Sequence, residues 1–360
     1  METERPIQSV TEQVRERARH LGFDAVAIAR ADAPMDDHYA RYEEFIRMGM
    51  HGEMEWLANN APARNGVDSE RILLGARSVI CVARSYARSR GDEASDPPIA
   101  QTIARYARGK DYHAFLRRKV RRLAAFVRTF GTAEAPVRAR PLCDEEPILE
   151  RAWAARAGLG FVGKNGMLII PGIGSMVLLG EVVTTLDLSP DPPMTERCGS
   201  CSRCLDACPT QAFVRPFVLD PRACISYMTI EQKSAVNPEV QAGAYLFGCD
   251  DCQLVCPFNA TARVPKVRTS DDPFFPLQRW ECTRLESLLS LDDEAWNNLA
   301  AGSPLRRVTR AHAARSAAIV MANRRDATAL PALQRAARDH DNPSVRAAAA
   351  WAIDRIAGKE

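Results

Sequence analysis

Seven cysteines in two short runs, with an eighth between them, set the terms on which this chain can fold. Cys198, Cys201, Cys204 and Cys208, followed by Pro209, form a C-x2-C-x2-C-x3-C-P run, and Cys249, Cys252 and Cys256 precede Pro257. That spacing holds [4Fe-4S] cubanes in bacterial ferredoxins: three close thiolates bind one cluster and the fourth reaches across to the other. The second run lacks one cysteine, and Cys224, isolated between the runs, can supply it. Cys198, Cys201, Cys204 and Cys256 are therefore assigned to one cluster, and Cys208, Cys224, Cys249 and Cys252 to the other. Zinc fits poorly, because it takes separated pairs and four ligands. Disulfides fit no better: nothing at the N-terminus resembles a secretory signal, and a chain of 360 residues needs no staples.

That length is enough for two or three domains. No apolar run is long enough to cross a bilayer, so a cytoplasmic protein without membrane contact is expected. A net charge of +3 neither demands nor excludes a polyanionic partner, and the placement of arginine matters more than the sum. Cys81, Cys143 and Cys282 remain outside the cluster set and read as small buried hydrophobes.

Ser9 and Glu12 form a capping box before Val10, Val14, Ala18 and Leu21, so a helix over about 9–21 stopping at Gly22 is expected. F-D-A-V-A-I-A alternates like a strand, and R-S-V-I-C-V-A reads as a buried one. Asn59 to Glu70, containing Arg64, is polar, and Ser89 to Pro98 looks like a surface loop. Tyr112, Phe115, Leu116, Val120, Leu123 and Val127 recur at helical spacing opposite a basic face, which is either solvated or a phosphate contact. Asp144 precedes a helical pattern ending near Gly158 and reads as its N-cap. M-L-I-I and M-V-L-L-G-E-V-V flank a P-G-I-G turn and read as a hairpin. Beyond Pro257 the pattern is helical, with similar segments around Ile319 and Trp351 suggesting a repeat stack rich in arginine.

Clusters move single electrons, so the catalytic group must sit elsewhere. No flavin or nicotinamide fingerprint appears, G-K-N at Lys164 is too short for a phosphate loop, and Asp111-Tyr112-His113 does not continue into a corrinoid D-x-H-x-x-G motif. The residues alone leave two readings open: a reductase with a further redox centre, or a ferredoxin-type carrier with extra domains.

H-G-E-M-E-W-L, Y-A-R-G-K-D-Y-H, L-E-R-A-W-A-A-R-A-G-L-G-F-V-G-K-N, the two cysteine runs and R-A-C-I-S-Y-M-T-I-E carry one specific likeness. Over nearly its full length the chain resembles the epoxyqueuosine reductases, corrinoid iron–sulfur enzymes of tRNA queuosine synthesis. The resemblance implies an α+β fold: a nitroreductase-like cobalamin-binding domain over 1–187, a ferredoxin-like domain with two [4Fe-4S] clusters over 188–262, and a helical HEAT-like domain over 263–360. It implies removal of the epoxide oxygen of epoxyqueuosine at the tRNA wobble position, with an external low-potential donor feeding the clusters and Co(I) acting on the epoxide carbon. The cobalamin is expected base-off, with no cobalt ligand from the protein.

Asp144 matches the family's proton donor, a role that a dry pocket would serve by raising its pKa. Glu145 and Glu146 follow it where the family has small residues. Arg64, Ala104, Asp144, Leu168, Leu179, Ser226 and Asp250 match cobalamin contacts, and Lys233 matches a tRNA contact. Arg306, Arg307, Arg310 and Arg315 are further candidates for the RNA backbone. The alternatives are a corrinoid reductase of a halogenated small molecule, a non-enzymatic electron carrier, and a tRNA-binding module with structural clusters. No heptad or apolar stripe argues for an interface, and a monomer is expected.

Overall fold

A computed structural model describes residues 9–88, 93–234, 236–239, 243–262 and 271–358. Its centre is a four-stranded antiparallel sheet of β1 (Ala25–Arg30), β2 (Ser78–Ser85), β3 (Ala139–Leu142) and β6 (Val177–Thr184), in the order β1-β2-β6-β3. Period-two alternation sorts the side chains of β2 onto two faces. Ile80 and Val82 pack with Val14 and Ala18 of α1 (Val10–His20) and with Leu116, Val120 and Leu123 of α2 (Tyr112–Arg128). Val79, Cys81 and Ala83 face the other way, against Ala152 and Trp153 of α3 (Glu150–Arg156). Fully burying a side chain of this size stabilises by about 1.5–3 kcal/mol, so the sheet is held from both sides. The caps follow the sequence: Ser9 accepts from the Glu12 N–H at 3.2 Å, and Gly22 takes φ 80° after α1.

The cysteine-rich segment is made of short pieces, including the ribbon of β7 (Phe213–Arg215) with β8 (Val218–Leu219) and the helix α4 (Ile225–Ile230). Three C-terminal helices follow: α5 (Arg310–Asn323), α6 (Leu330–Asp339) and α7 (Pro343–Ile356). Residues 313–322 of α5 are buried on every side, and their core runs on through Leu246, Phe247, Trp280, Ile99 and Ile103. The helical end therefore packs on the segment that leads to the clusters.

Four expectations need correction. The hairpin does not form: β5 (Leu168–Ile169) pairs with β4 (Phe161–Val162), whereas β6 pairs with β2 and β3. Gly160 and Gly163 allow this, since a Cβ on either would lie 2.4 Å from Ile169. Asp144 is no N-cap: α3 starts only at Glu150, and Leu149 precedes it without a side-chain cap. Pro147 explains the delay, because it disfavours helical geometry at the residue before it. The segment 89–98 is not simply a surface loop. Residues 89–92 lie outside the described ones, but Asp96 is buried and ion-paired with Arg88 at 2.9 Å and Arg108 at 3.1 Å. Cys81 and Cys143 are buried as expected, while Cys282 is exposed.

Candidate redox site and its acid

The eight motif thiols fall into two neighbourhoods. Burial raises the thiol of Cys204, and Cys256 and Cys201 raise it further; Cys198 feels Cys204, and Cys256 feels Cys201. Burial likewise raises Cys224, Cys249 and Cys252, with Cys208 acting on Cys224, and Cys224 acting on both Cys249 and Cys252. These neighbourhoods are compatible with the two expected ligand sets, and Cys252 feels Cys204 of the first set as well as Cys208 and Cys224 of its own. Thiols that push one another up in this way need a cation to persist together as thiolates, so the residues fit iron–sulfur clusters. Among the described residues no three His, Cys, Asp or Glu groups converge tightly enough to hold a single metal ion. Lys164 braces the first set, its Nζ donating to the carbonyls of Gly199 at 2.6 Å and Cys201 at 3.0 Å. Nothing in its sequence context pointed to that role.

Asp144 lies at the end of β3 with φ 64°, in the left-handed region that few non-glycine residues adopt. Its Oδ2 accepts from the Tyr112 hydroxyl at 2.7 Å and contacts His113 Nε2 at 2.9 Å. His113 Nδ1 meets Asp111 Oδ1 at 2.7 Å, and Asp111 also caps α2 by accepting from the His113 backbone N–H. The Asp111 and Asp144 carboxylates raise the His113 imidazole to about 9. Burial works to raise Asp144, yet the hydrogen bonds from His113 and Tyr112 outweigh it and hold the carboxyl below its usual range. The expectation of a raised acid is therefore reversed in direction: the Asp144 carboxyl is held low and the His113 imidazole beside it is raised. The Asp144 side chain is 48% exposed, so it is open to solvent while Tyr112 and His113 hold its Oδ2. Glu145 and Glu146 point elsewhere, paired with Arg117 at 2.5 Å and Arg140 at 3.0 Å. Tyr112 and His113 were visible in the sequence only as helix residues and as a failed cobalt-ligand motif.

The positions expected to touch cobalamin are only partly brought together. Ala104 is buried and donates its N–H to the Phe247 carbonyl, and the next N–H, of Arg105, donates to Asp250 Oδ2 at 2.7 Å. Ser226 lies in α4, and its carbonyl accepts from Thr229, whose Oγ1 accepts from the Gly248 N–H. Ala104, Ser226 and Asp250 thus gather at the second ligand set. Leu168 and Leu179 belong to the core on the α3 side of the sheet, and Leu168 is only 3% exposed. Arg64 stands apart, donating to the Trp56 carbonyl at 3.3 Å with its guanidinium 5.3 Å from the Tyr42 ring centre. Tyr106 bridges the two halves of the site. Burial raises its hydroxyl first, and Asp250 and Asp144 both act on it, while its ring lies 5.9 Å from Tyr112 and 6.3 Å from Phe247.

The residues expected to hold RNA divide likewise. Lys233 and Arg306 are exposed, whereas Arg307 pairs with Glu231 at 2.8 Å and Arg310 with Asp293 at 3.0 Å and with Asp341. Arg315 is a correction. It is 3% exposed and donates to the carbonyls of Ser234 at 2.9 Å and Met228 at 3.0 Å, so it binds α4 to α5 and does not face a ligand. A stronger basic surface lies on α2. Lys110, Arg118 and Lys119 line a recess of about 770 Å³ with Arg84 and Arg279, and Arg117, Arg118, Arg121 and Arg122 line an adjoining one of about 480 Å³.

A family model described as "4Fe-4S double cluster binding domain" matches residues 197–259. Together with the α+β sheet domain and the ionised acid beside it, this defines an iron–sulfur oxidoreductase. A second model, "Epoxyqueuosine reductase QueG, DUF1730", matches residues 67–144. The chain is 41% identical over 299 residues to epoxyqueuosine reductase of Gloeobacter violaceus, covering 82% of this chain and 91% of the relative. It is 35% identical over 353 residues to that of Pseudomonas aeruginosa, covering 96% and 94%. A crystal structure of epoxyqueuosine reductase with a tRNA-Tyr epoxyqueuosine-modified stem loop matches with TM-score 0.82 and 30% identity, covering 96% of this chain and 89% of the other. The Bacillus subtilis enzyme, in a structure with its catalytic aspartate loop swung out of the active site, matches with TM-score 0.81 at 30% identity, covering 96% and 90%. The chain belongs to the epoxyqueuosine reductase family. Among the described residues no helix is long and apolar enough to cross a membrane.

Proposed function

We propose that this chain reduces epoxyqueuosine to queuosine in tRNA, with electrons passing from an external low-potential donor through two [4Fe-4S] clusters to bound cobalamin. The reading is supported above all by one juxtaposition: the Tyr106 ring lies between Tyr112, which donates to Asp144, and Phe247, beside the Ala104–Asp250 contact next to the second ligand set. In the overall balance both epoxide C–O bonds break, a C=C bond forms, and two electrons and two protons convert the oxygen to water. Bound cobalamin supplies the two-electron reducing chemistry at the epoxide carbon. Ala104, Ser226 and Asp250 would hold it on the cluster side, while Arg64, set apart from them, keeps a buried Nε without a hydrogen-bond partner as a further polar contact for it. Leu168 and Leu179 would touch it through the backbone or apolar atoms, and no protein ligand to cobalt is expected.

The protein's own part is the first of the two protons, and the second comes from solvent, which reaches the half-exposed Asp144 carboxylate. The His113 imidazolium donates toward Asp144, and Asp144 passes that proton to the oxygen as negative charge develops there, so the Asp111–His113–Asp144 chain serves as general acid. Tyr112 holds the same Asp144 oxygen in place. Lys233, Arg306 and Arg307, with the basic face of α2, would contact the RNA backbone, and the C-terminal helices would act as a HEAT-like support.

The test is anaerobic purification and reconstitution, metal analysis, and nucleoside mass spectrometry of epoxyqueuosine-containing tRNA after reduction. About eight irons and one cobalt per chain, with conversion to queuosine, support the proposal. Iron loading without cobalt uptake or conversion overturns it.

A further inference from the structure

Beneath the Asp144 loop lie two carboxyl groups that the chemistry above does not use. Glu181 is on β6, opposite Cys81 of β2 and Leu142 of β3, and its side chain is 0% exposed. Alternation explains where it points: Val182 joins the α1/α2 core, so Glu181 and Val183 face α3. Glu150, the first residue of α3, lies on that side, and its Oε1 accepts from the Asp144 backbone N–H at 2.9 Å.

Neither Glu181 oxygen has an N–H or O–H donor to accept from. The group that acts on it most is the Glu150 carboxyl, and two neighbouring carboxyl groups can bond to each other only when one carries a proton. Burial and the Glu150 charge raise Glu181 strongly, and burial and the Asp144 charge raise Glu150. The other groups facing the pair are Arg151 on α3, Cys81 on β2 and Cys143 after β3; Arg151 is the single cation among them. A proton on Glu181 lets it donate to Glu150, which opposes the rise of Glu150 to about 7 and favours its oxygen as an acceptor for the Asp144 N–H.

We propose that Glu150, by accepting from the Asp144 backbone N–H, is the positioning residue that fixes Asp144 in its left-handed conformation and so aims the acid at the substrate. The inference rests on the reading of Asp144 as the acid of the reaction. Opening of the acid's loop, as seen in the Bacillus subtilis relative, would break the same N–H bond in this chain.

The reconstituted holoenzyme tests this with four variants. Glu150→Ala lowers kcat at least tenfold with KM for the tRNA unchanged, while Glu150→Gln, which keeps an acceptor oxygen, recovers part of the rate but loses the acid limb of the pH profile. Glu181→Gln, a permanent donor, retains the wild-type profile, whereas Glu181→Met moves the acid limb to higher pH. Hydrogen exchange of the Asp144 amide supplies a readout independent of activity and of substrate identity: it speeds at least tenfold in Glu150→Ala and not in Glu181→Gln. Wild-type kcat and unchanged exchange in Glu150→Ala overturn the inference, as does an unchanged acid limb in Glu150→Gln. If no variant and not even the wild type converts epoxyqueuosine, the functional reading fails instead, and the exchange rates still decide the clamp. Should Glu181→Met not fold, the two glutamine variants and the exchange measurement carry the test.

Discussion

Replacing Asp111 with asparagine gives the sharpest test of where the proton resides. Asparagine still caps α2, accepting from the His113 N–H, so the helix start survives while the carboxylate charge is lost. The Asp111 hydrogen bond is the largest of the effects raising His113 to about 9. A group titrating there is about nine-tenths protonated at pH 8, whereas one returned toward the ordinary value near 6.5 is mostly neutral. The rate at pH 8 should then fall about tenfold, with little change at pH 6, because the imidazolium is present in both proteins at the lower pH. The sign for stability is the same. A raised histidine pKa stabilises the fold fully below about pH 6.5, and that contribution disappears as the pH rises through about 9. With solvent screening at these partly exposed carboxylates, the loss in Asp111→Asn at pH 6 should be about 1 kcal/mol. NMR titration of the His113 ring gives the pKa directly, and a pH–rate profile under saturating tRNA gives its consequence. A wild-type ring titrating near 6.5, or a variant whose rate at pH 8 matches wild type, refutes the proton store.

Changing Arg118 and Arg121 together to glutamine should raise KM for tRNA and reduce the slope of log affinity against log salt by about 1.5, measured by filter binding across a salt series. Cys224→Ser should remove the second cluster while sparing the first, leaving about four irons per chain by metal analysis; retention of all the iron would sink the ligand assignment. Arg315→Met should strand backbone carbonyls of 228–234 and destabilise the protein by about 2–4 kcal/mol in denaturant melts. A variant of unchanged stability but weak RNA binding would instead restore Arg315 as a ligand contact.

The double-cluster domain was legible because thiolate spacing is set by the cubane itself, a constraint local enough to show in sequence. Helix α1 and the strands β1 and β2 were legible for a similar reason: capping and alternation are local rules. The acid was only half legible. Asp144 could be placed at the site by resemblance, but its ionisation depends on His113, 31 residues earlier in the chain. Glu150 and Glu181 were invisible for the same cause. One looks like an ordinary first-turn acid and the other interrupts an apolar strand, and only tertiary packing makes them a pair. The arginines misled because a cation destined for buried carbonyls and one destined for phosphate look alike in composition; Arg315 and Arg306 differ only in burial.

This packing also explains why electron and proton machinery can share one chain without short-circuiting. On the proposed function, electrons would gather where the cysteine-rich segment meets Ala104 and Asp250, and protons where α2 begins beside Asp144. Tyr106, buried between them and pushed well above its usual pKa, stays a neutral phenol at any working pH. It therefore separates the two without carrying charge itself. On the proposed function, a substrate reaching this point would meet reductant from one side and an acid from the other. Neither group needs to move far, provided that the Asp144 loop is held closed, and the Glu150 contact to its backbone is placed to hold it.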